Sequence, residues 1–86
     1  MKARSKNAYD VIQLTKELKD EPDQKTIRPY FKDITSVEMK SSGVVVNTRN
    51  TRYDIPVGSW IMIDQRGKVS IVSDVAFNLN YVVVND

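Results

Sequence analysis

The run from Ile55 to Val72 constrains this chain more than any other part of it. Pro56-Val57-Gly58 breaks the ladder, Ser59 to Ile63 follows as a strand, and Asp64-Gln65-Arg66-Gly67 turns the chain into a second strand from Lys68 to Val72. Gly67 stands where a four-residue hairpin loop needs a left-handed residue. Trp60, Ile61, Met62 and Ile63 are apolar at every position. A strand of that kind is predicted to be central, covered on both of its faces.

The residues before this run read as further β structure. Ser36 to Lys40 sets Val37 and Met39 against polar neighbours, and Ser41-Ser42-Gly43 is a turn signal. Val44 to Thr48 and Thr51 to Ile55 flank Arg49-Asn50, and asparagine tolerates the positive φ of a tight hairpin. After Val72, Ser73 reads as the N-cap of a short helical turn over Asp74 to Asn78, and Tyr81 to Val84 reads as a closing strand.

The first third is less regular. Tyr9 to Leu14 is expected as a strand, with a helix as the rival because Val11, Leu14 and Leu18 also fit a 3.6-residue period. Lys16 to Lys25 is charge-rich and reads as a solvated connection, in which Pro22 ends anything helical before it. Ile27, Tyr30, Phe31 and Ile34 follow the i, i+3, i+4, i+7 spacing of an amphipathic helix. Thr26 as N-cap would place Pro29 in the first turn, where its missing N–H is no loss, so a helix is expected from Ile27 to Asp33. The fold class that follows is α+β: a small curved, mostly antiparallel sheet or half-open barrel of about five to six strands, with one short helix packed on it.

Eighty-six residues suffice for one small domain, with residues 1–7 expected as a flexible basic tail. The chain holds neither cysteine nor histidine. Disulfides and thiolate ligands are thereby excluded, together with the commonest zinc, copper and iron ligands and the side chain that most often moves protons near neutral pH. No apolar run approaches the ~20 residues of a membrane helix, and the basic start lacks the apolar stretch of a signal peptide, so a cytoplasmic location is expected. The formal net charge of +2 is too small to argue for nucleic acid by itself.

The candidate contact residues are Arg49 and Arg52 at one hairpin tip, and Arg66 and Lys68 at another. If both tips point the same way, they could track phosphates or meet a partner. Against this stands the ordinary role of turn charges in solubility. Trp60, Tyr53 and Tyr81 could stack on a base, but strand residues of this kind belong to a core. Glu17, Asp20, Glu21 and Asp23 alternate with lysines on a stretch with little to hold them rigid, so they read as a solvated face rather than a metal site or a carboxylate pair. Val57-Gly58-Ser59-Trp60 is not a nucleophile elbow, and no histidine exists to activate Ser59. No catalytic, cofactor-binding or metal-binding residue is assigned.

Ile12-Gln13, Gly58, Trp60-Ile61, Gly67, Asp74, Phe77 and Tyr81, in that order and spacing, resemble the pattern of a family of small bacteriophage- and prophage-encoded proteins of unknown function with a Pro-Gly-Asp-Trp/Tyr-Ile motif. This chain departs from the pattern at Ser59, where the family has Asp, and at Pro56, which is not adjacent to Gly58. The resemblance implies a mobile-element origin, a bacterial host cytoplasm and a shared fold, and it carries no functional residues with it. The function expected is that of a non-enzymatic accessory protein that binds a protein partner, with an edge-strand homodimer through Tyr81 to Val84 in prospect. The alternative is a small nucleic-acid-binding module using the basic hairpin tips.

Overall fold

The computed structural model describes residues 2–4 and 8–84. In chain order the elements are β1 (Lys2–Arg4), β2 (Ala8–Gln13), α1 (Lys16–Lys19), β3 (Ile34–Lys40), β4 (Gly43–Thr48), β5 (Arg52–Pro56), β6 (Trp60–Ile63), β7 (Val69–Val72), α2 (Asp74–Asn80) and β8 (Val82–Val84). Single turns of 3-10 helix at Pro22–Gln24 and Arg28–Tyr30 join α1 to β3.

The fold is α+β, as expected, but the eight strands among the described residues divide between two sheets and form no closed barrel. One sheet has the order β7-β6-β2-β1-β8 and the other is the meander β3-β4-β5. Every pairing is antiparallel. The chain changes sheets at Pro56–Ser59. There the Val57 N–H donates to the Ser42 carbonyl, while the Gly58 N–H donates to the Leu14 carbonyl. Gly58 has φ of 98°, a conformation that costs a residue with a Cβ about 1–2 kcal/mol. The Leu14 N–H donates to the Ser59 carbonyl, so the corner is fixed to the end of β2.

Tyr9 to Leu14 resolves as strand. Its alternation decides the matter: Tyr9 and Val11 pack on one side of the sheet, Ile12 on the other. The Ile27–Asp33 helix does not form. The Thr26 N–H and hydroxyl both donate to the Glu21 carboxylate, at 2.7 Å each, so Thr26 caps nothing. What remains is the short turn at Arg28–Tyr30, after which Phe31 is already extended. Ile27, Phe31 and Ile34 still reach the core. The spacing therefore identified the buried residues and misread their backbone.

Lys2–Arg4, expected within a flexible tail, instead pair as β1 between β2 and β8. The remainder of that tail, at residues 1 and 5–7, lies outside the described residues. In the connection from Lys16 to Lys25 one helical turn does form, and the Thr15 hydroxyl caps it by accepting from the Leu18 N–H.

Trp60 to Ile63 form a strand with β2 on one side and β7 on the other, covered on both faces. Ile61 joins Leu14, Ile27, Val44, Val46 and Ile55 in the core between the two sheets. Trp60 and Met62 join Val11 and Phe77 on the opposite face, beneath α2. Helix α2 starts where Ser73 was expected to cap it, with the Ser73 hydroxyl accepting from the Ala76 N–H. It buries Phe77, whose removal from water is worth about 1.5–3 kcal/mol.

Candidate functional site

The two basic hairpin tips lie on one cleft. At the β4–β5 tip the Thr48 N–H donates to the Thr51 carbonyl, closing a two-residue loop of Arg49 and Asn50. The Thr48 hydroxyl braces the same loop. At the β6–β7 tip the Asp64 carboxylate accepts from the N–H groups of Arg66 and Lys68, at 2.8 and 2.9 Å. Gly67 sits between them with φ of 84°. The third wall is the chain from Phe31 to Asp33, where Asp33 takes φ of 58° and its carbonyl accepts from the Arg49 N–H. The cleft so enclosed measures about 250 Å³.

Of the four candidates, Arg49 lines this cleft, and Gly67 brings the tip that carries Arg66 and Lys68 to its rim. Arg52 does not belong to it. Tyr53 lines the cleft and packs on the inter-sheet core, so alternation sends its neighbour Arg52 to the outer face of the meander, opposite Asn47. Lys32 was missed. Its ammonium lies 3.7 Å from where a Cβ on Gly67 would stand, so it spans from one tip toward the other. The available signal was its place beside Phe31, a core anchor that fixes where the next residue emerges.

Lys32, Arg49, Arg66 and Lys68 are all exposed, and no ion pair among the described residues involves any of them. The side chains of Lys32, Arg49 and Asn50 make no hydrogen bond among the described residues, which leaves their donors facing water. Asp33 is the one acid lining the cleft, and Tyr53, half-buried, is its exposed aromatic surface. Behind it the Tyr53 ring meets Phe31 at 5.1 Å between centroids.

A second constellation joins most of the residues that carry the family resemblance. Trp60 stacks on Phe77 with centroids 3.9 Å apart and planes within 7°. The Trp60 indole N–H donates to Asp74 Oδ1 at 2.9 Å. Gln13 Nε2 donates to the Gly58 carbonyl at 3.0 Å and to the same Asp74 oxygen at 3.3 Å. Phe77 in turn stacks on Tyr81, and Tyr81 meets Tyr9 edge-on. Asp74 is thus a structural acceptor that clamps α2 onto β2 and β6, and these residues are scaffold. Trp60 is buried, in agreement with its reading as core.

In the acidic stretch Glu17, Asp20 and Asp23 are exposed, as a solvated face would have them, while Glu21 holds Thr26. Glu21 is held below the usual carboxylate range by the hydroxyl of Thr26, then by the Thr26 N–H. No three side chains of Asp or Glu gather in a metal-holding group among the described residues. Two shallow grooves flank Tyr30, about 330 Å³ toward Trp60 and about 280 Å³ toward Ile63. The Tyr30 hydroxyl donates to the Val11 carbonyl, and burial, then the charge of Asp10, raises its pKa.

Three of the most exposed large apolar side chains fall in the last part of the described chain. Val75 and Leu79 project from the outer side of α2, 72% and 79% exposed, and Val82 on β8 is 67% exposed. No helix among the described residues is long and apolar enough to cross a membrane. No family model, no curated protein and no solved structure matches this chain.

Proposed function

We propose that this chain is a non-enzymatic accessory protein of phage or prophage origin, working in the cytoplasm of a bacterial host by binding a protein partner. The observation that carries this reading is the exposure of Val75, Leu79 and Val82, in a segment with no lysine or arginine after Lys68. Three large apolar side chains presented to water near one end of a small domain form the kind of surface that a partner covers. The motif order from Ile12 to Tyr81 supports the origin. The absence of histidine and cysteine, and the exposure of Lys32, Asp33 and Arg49 in the polar cleft, favour binding over chemistry.

β8 ends the five-stranded sheet, so its outer backbone groups can pair with another strand. A second copy of this chain meets that need by twofold antiparallel pairing of β8 with its equivalent. The surface is small against the roughly 1,600 Å² of a standard interface, so self-pairing is weak and concentration-dependent. Light scattering on the full chain should give a mass rising from 9.8 kDa toward twice that value as concentration increases. Val82→Lys should hold it at the monomer. A mass that stays at the monomer value at millimolar concentration rules out self-pairing. Capture of host proteins that Val75→Asp with Leu79→Asp fails to abolish rules out this surface altogether.

A further inference from the structure

We propose that the cleft between the β4–β5 and β6–β7 tips holds the backbone of a single-stranded nucleic acid, with Tyr53 as the surface on which one base rests. The inference stands on a different part of the molecule from the apolar surface of α2 and β8, and either can fail without the other. Two segments that are distant in sequence deliver cations to the cleft, Lys32 before β3 and Arg49 at the β4–β5 tip, and Gly67 brings the β6–β7 tip up beside the Lys32 ammonium. The donors of Lys32, Arg49 and Asn50 are not spent on other side chains among the described residues. Side chains of this type, free and convergent, suit phosphate oxygens.

Size argues for a strand rather than a whole small molecule. At about 250 Å³ the cleft falls below the roughly 300–1,000 Å³ of pockets that enclose small ligands. It is open, as a polymer passing through would need. The aromatic floor separates a nucleic acid from an acidic peptide. Tyr53 is held against Phe31 and lines the cleft, and stacking on such a ring favours a base whatever its identity. A glutamate-rich peptide has nothing to place there. Asp33 works against the binding, since its carboxylate lines the same cleft.

The test is fluorescence anisotropy of a labelled twelve-nucleotide oligothymidine with the full chain, over a range of salt. Two cations on phosphates, Lys32 and Arg49, predict a slope of about −1.4 in log K against log salt for a single strand. Lys32→Ala and Arg49→Ala should each weaken binding by about fivefold or more and lower the slope by about 0.7. Asp33→Asn should tighten binding, and asparagine keeps the left-handed backbone that Asp33 adopts. Arg52→Ala, on the outer face, should change neither affinity nor slope. All four substitutions are at exposed positions, so folded protein is expected in each case and circular dichroism checks it. The proposal is overturned if no binding occurs at low salt, or if Arg52→Ala weakens binding as much as Arg49→Ala. Displacement of the oligonucleotide by polyglutamate of equal charge at equal concentration overturns it as well.

Discussion

Asp74 Oδ1 accepts from Trp60, Gln13 and Asn78, so one oxygen joins β6, β2 and α2. The Trp60 indole is buried apart from its edge, and an N–H left without a partner there costs about 1–3 kcal/mol. Asp74→Ala is therefore expected to lower unfolding free energy by about that much in urea denaturation, and Asp74→Asn, which retains an oxygen acceptor, by clearly less. Trp60 is the only tryptophan in the chain, so its emission reports the local change directly. A shift to longer wavelength in folded Asp74→Ala would show the indole opening to water. Equal losses in both variants would mean that charge at the start of α2, rather than the indole contact, is what Asp74 supplies.

The elements differ in how much of their conformation is local, and that difference decides what could be read. The β6–β7 hairpin is legible because Asp64–Gly67 contains its own turn chemistry, whereas the β4–β5 hairpin falls where Arg49-Asn50 places it but without the expected positive φ at Asn50, its loop being braced by the Thr48 hydroxyl. Helix α2 is legible too, because Ser73 caps it from the adjacent position. The Ile27–Asp33 helix was misread because its cap, Thr26, is taken by Glu21 from five residues back. That contact also makes the loop sensitive to acid. A carboxylate whose folded pKa is depressed contributes stability that is fully present above its unfolded pKa and is lost as pH falls through the folded one. Thermal stability should decline as pH drops below the ordinary carboxylate range. Glu21→Gln, which removes the titrating group, should flatten that part of the decline, and Glu17→Gln, with no such contact, should leave it in place. Glu21 is only partly buried, so the effect is small and best measured as a difference between variants.

At the scale of the molecule, two of the six strand pairings among the described residues join distant parts of the chain. β2 pairs with β6 through Gln13 and Trp60, and β1 pairs with β8 through Lys2 and Val84. A sheet that is completed only by such pairings closes long loops before it gains the contacts, which slows refolding to milliseconds to seconds. Stopped-flow refolding followed by Trp60 emission should fall in that range. A microsecond phase carrying the whole amplitude would contradict this picture. The same long reach explains what the sequence withheld. Nothing local to Pro56–Ser59 says that the chain there leaves one sheet for another, so two sheets were read as one. It also explains the site: alternation around Tyr53 could have removed Arg52, but Lys32 enters the cleft only because β3, β4 and β7 come together.

The pairing of Lys2 with Val84 has a mechanical consequence. Because β1 and β8 run antiparallel, the start of one strand and the end of the other meet at the same edge of the sheet. A load applied between these two points acts across the hydrogen bonds one pair at a time, peeling β8 away like an opening zip instead of shearing all the bonds at once. Pulled in this direction the domain yields at low force, and β8 leaves first, while β2, β6 and β7 remain folded against the meander.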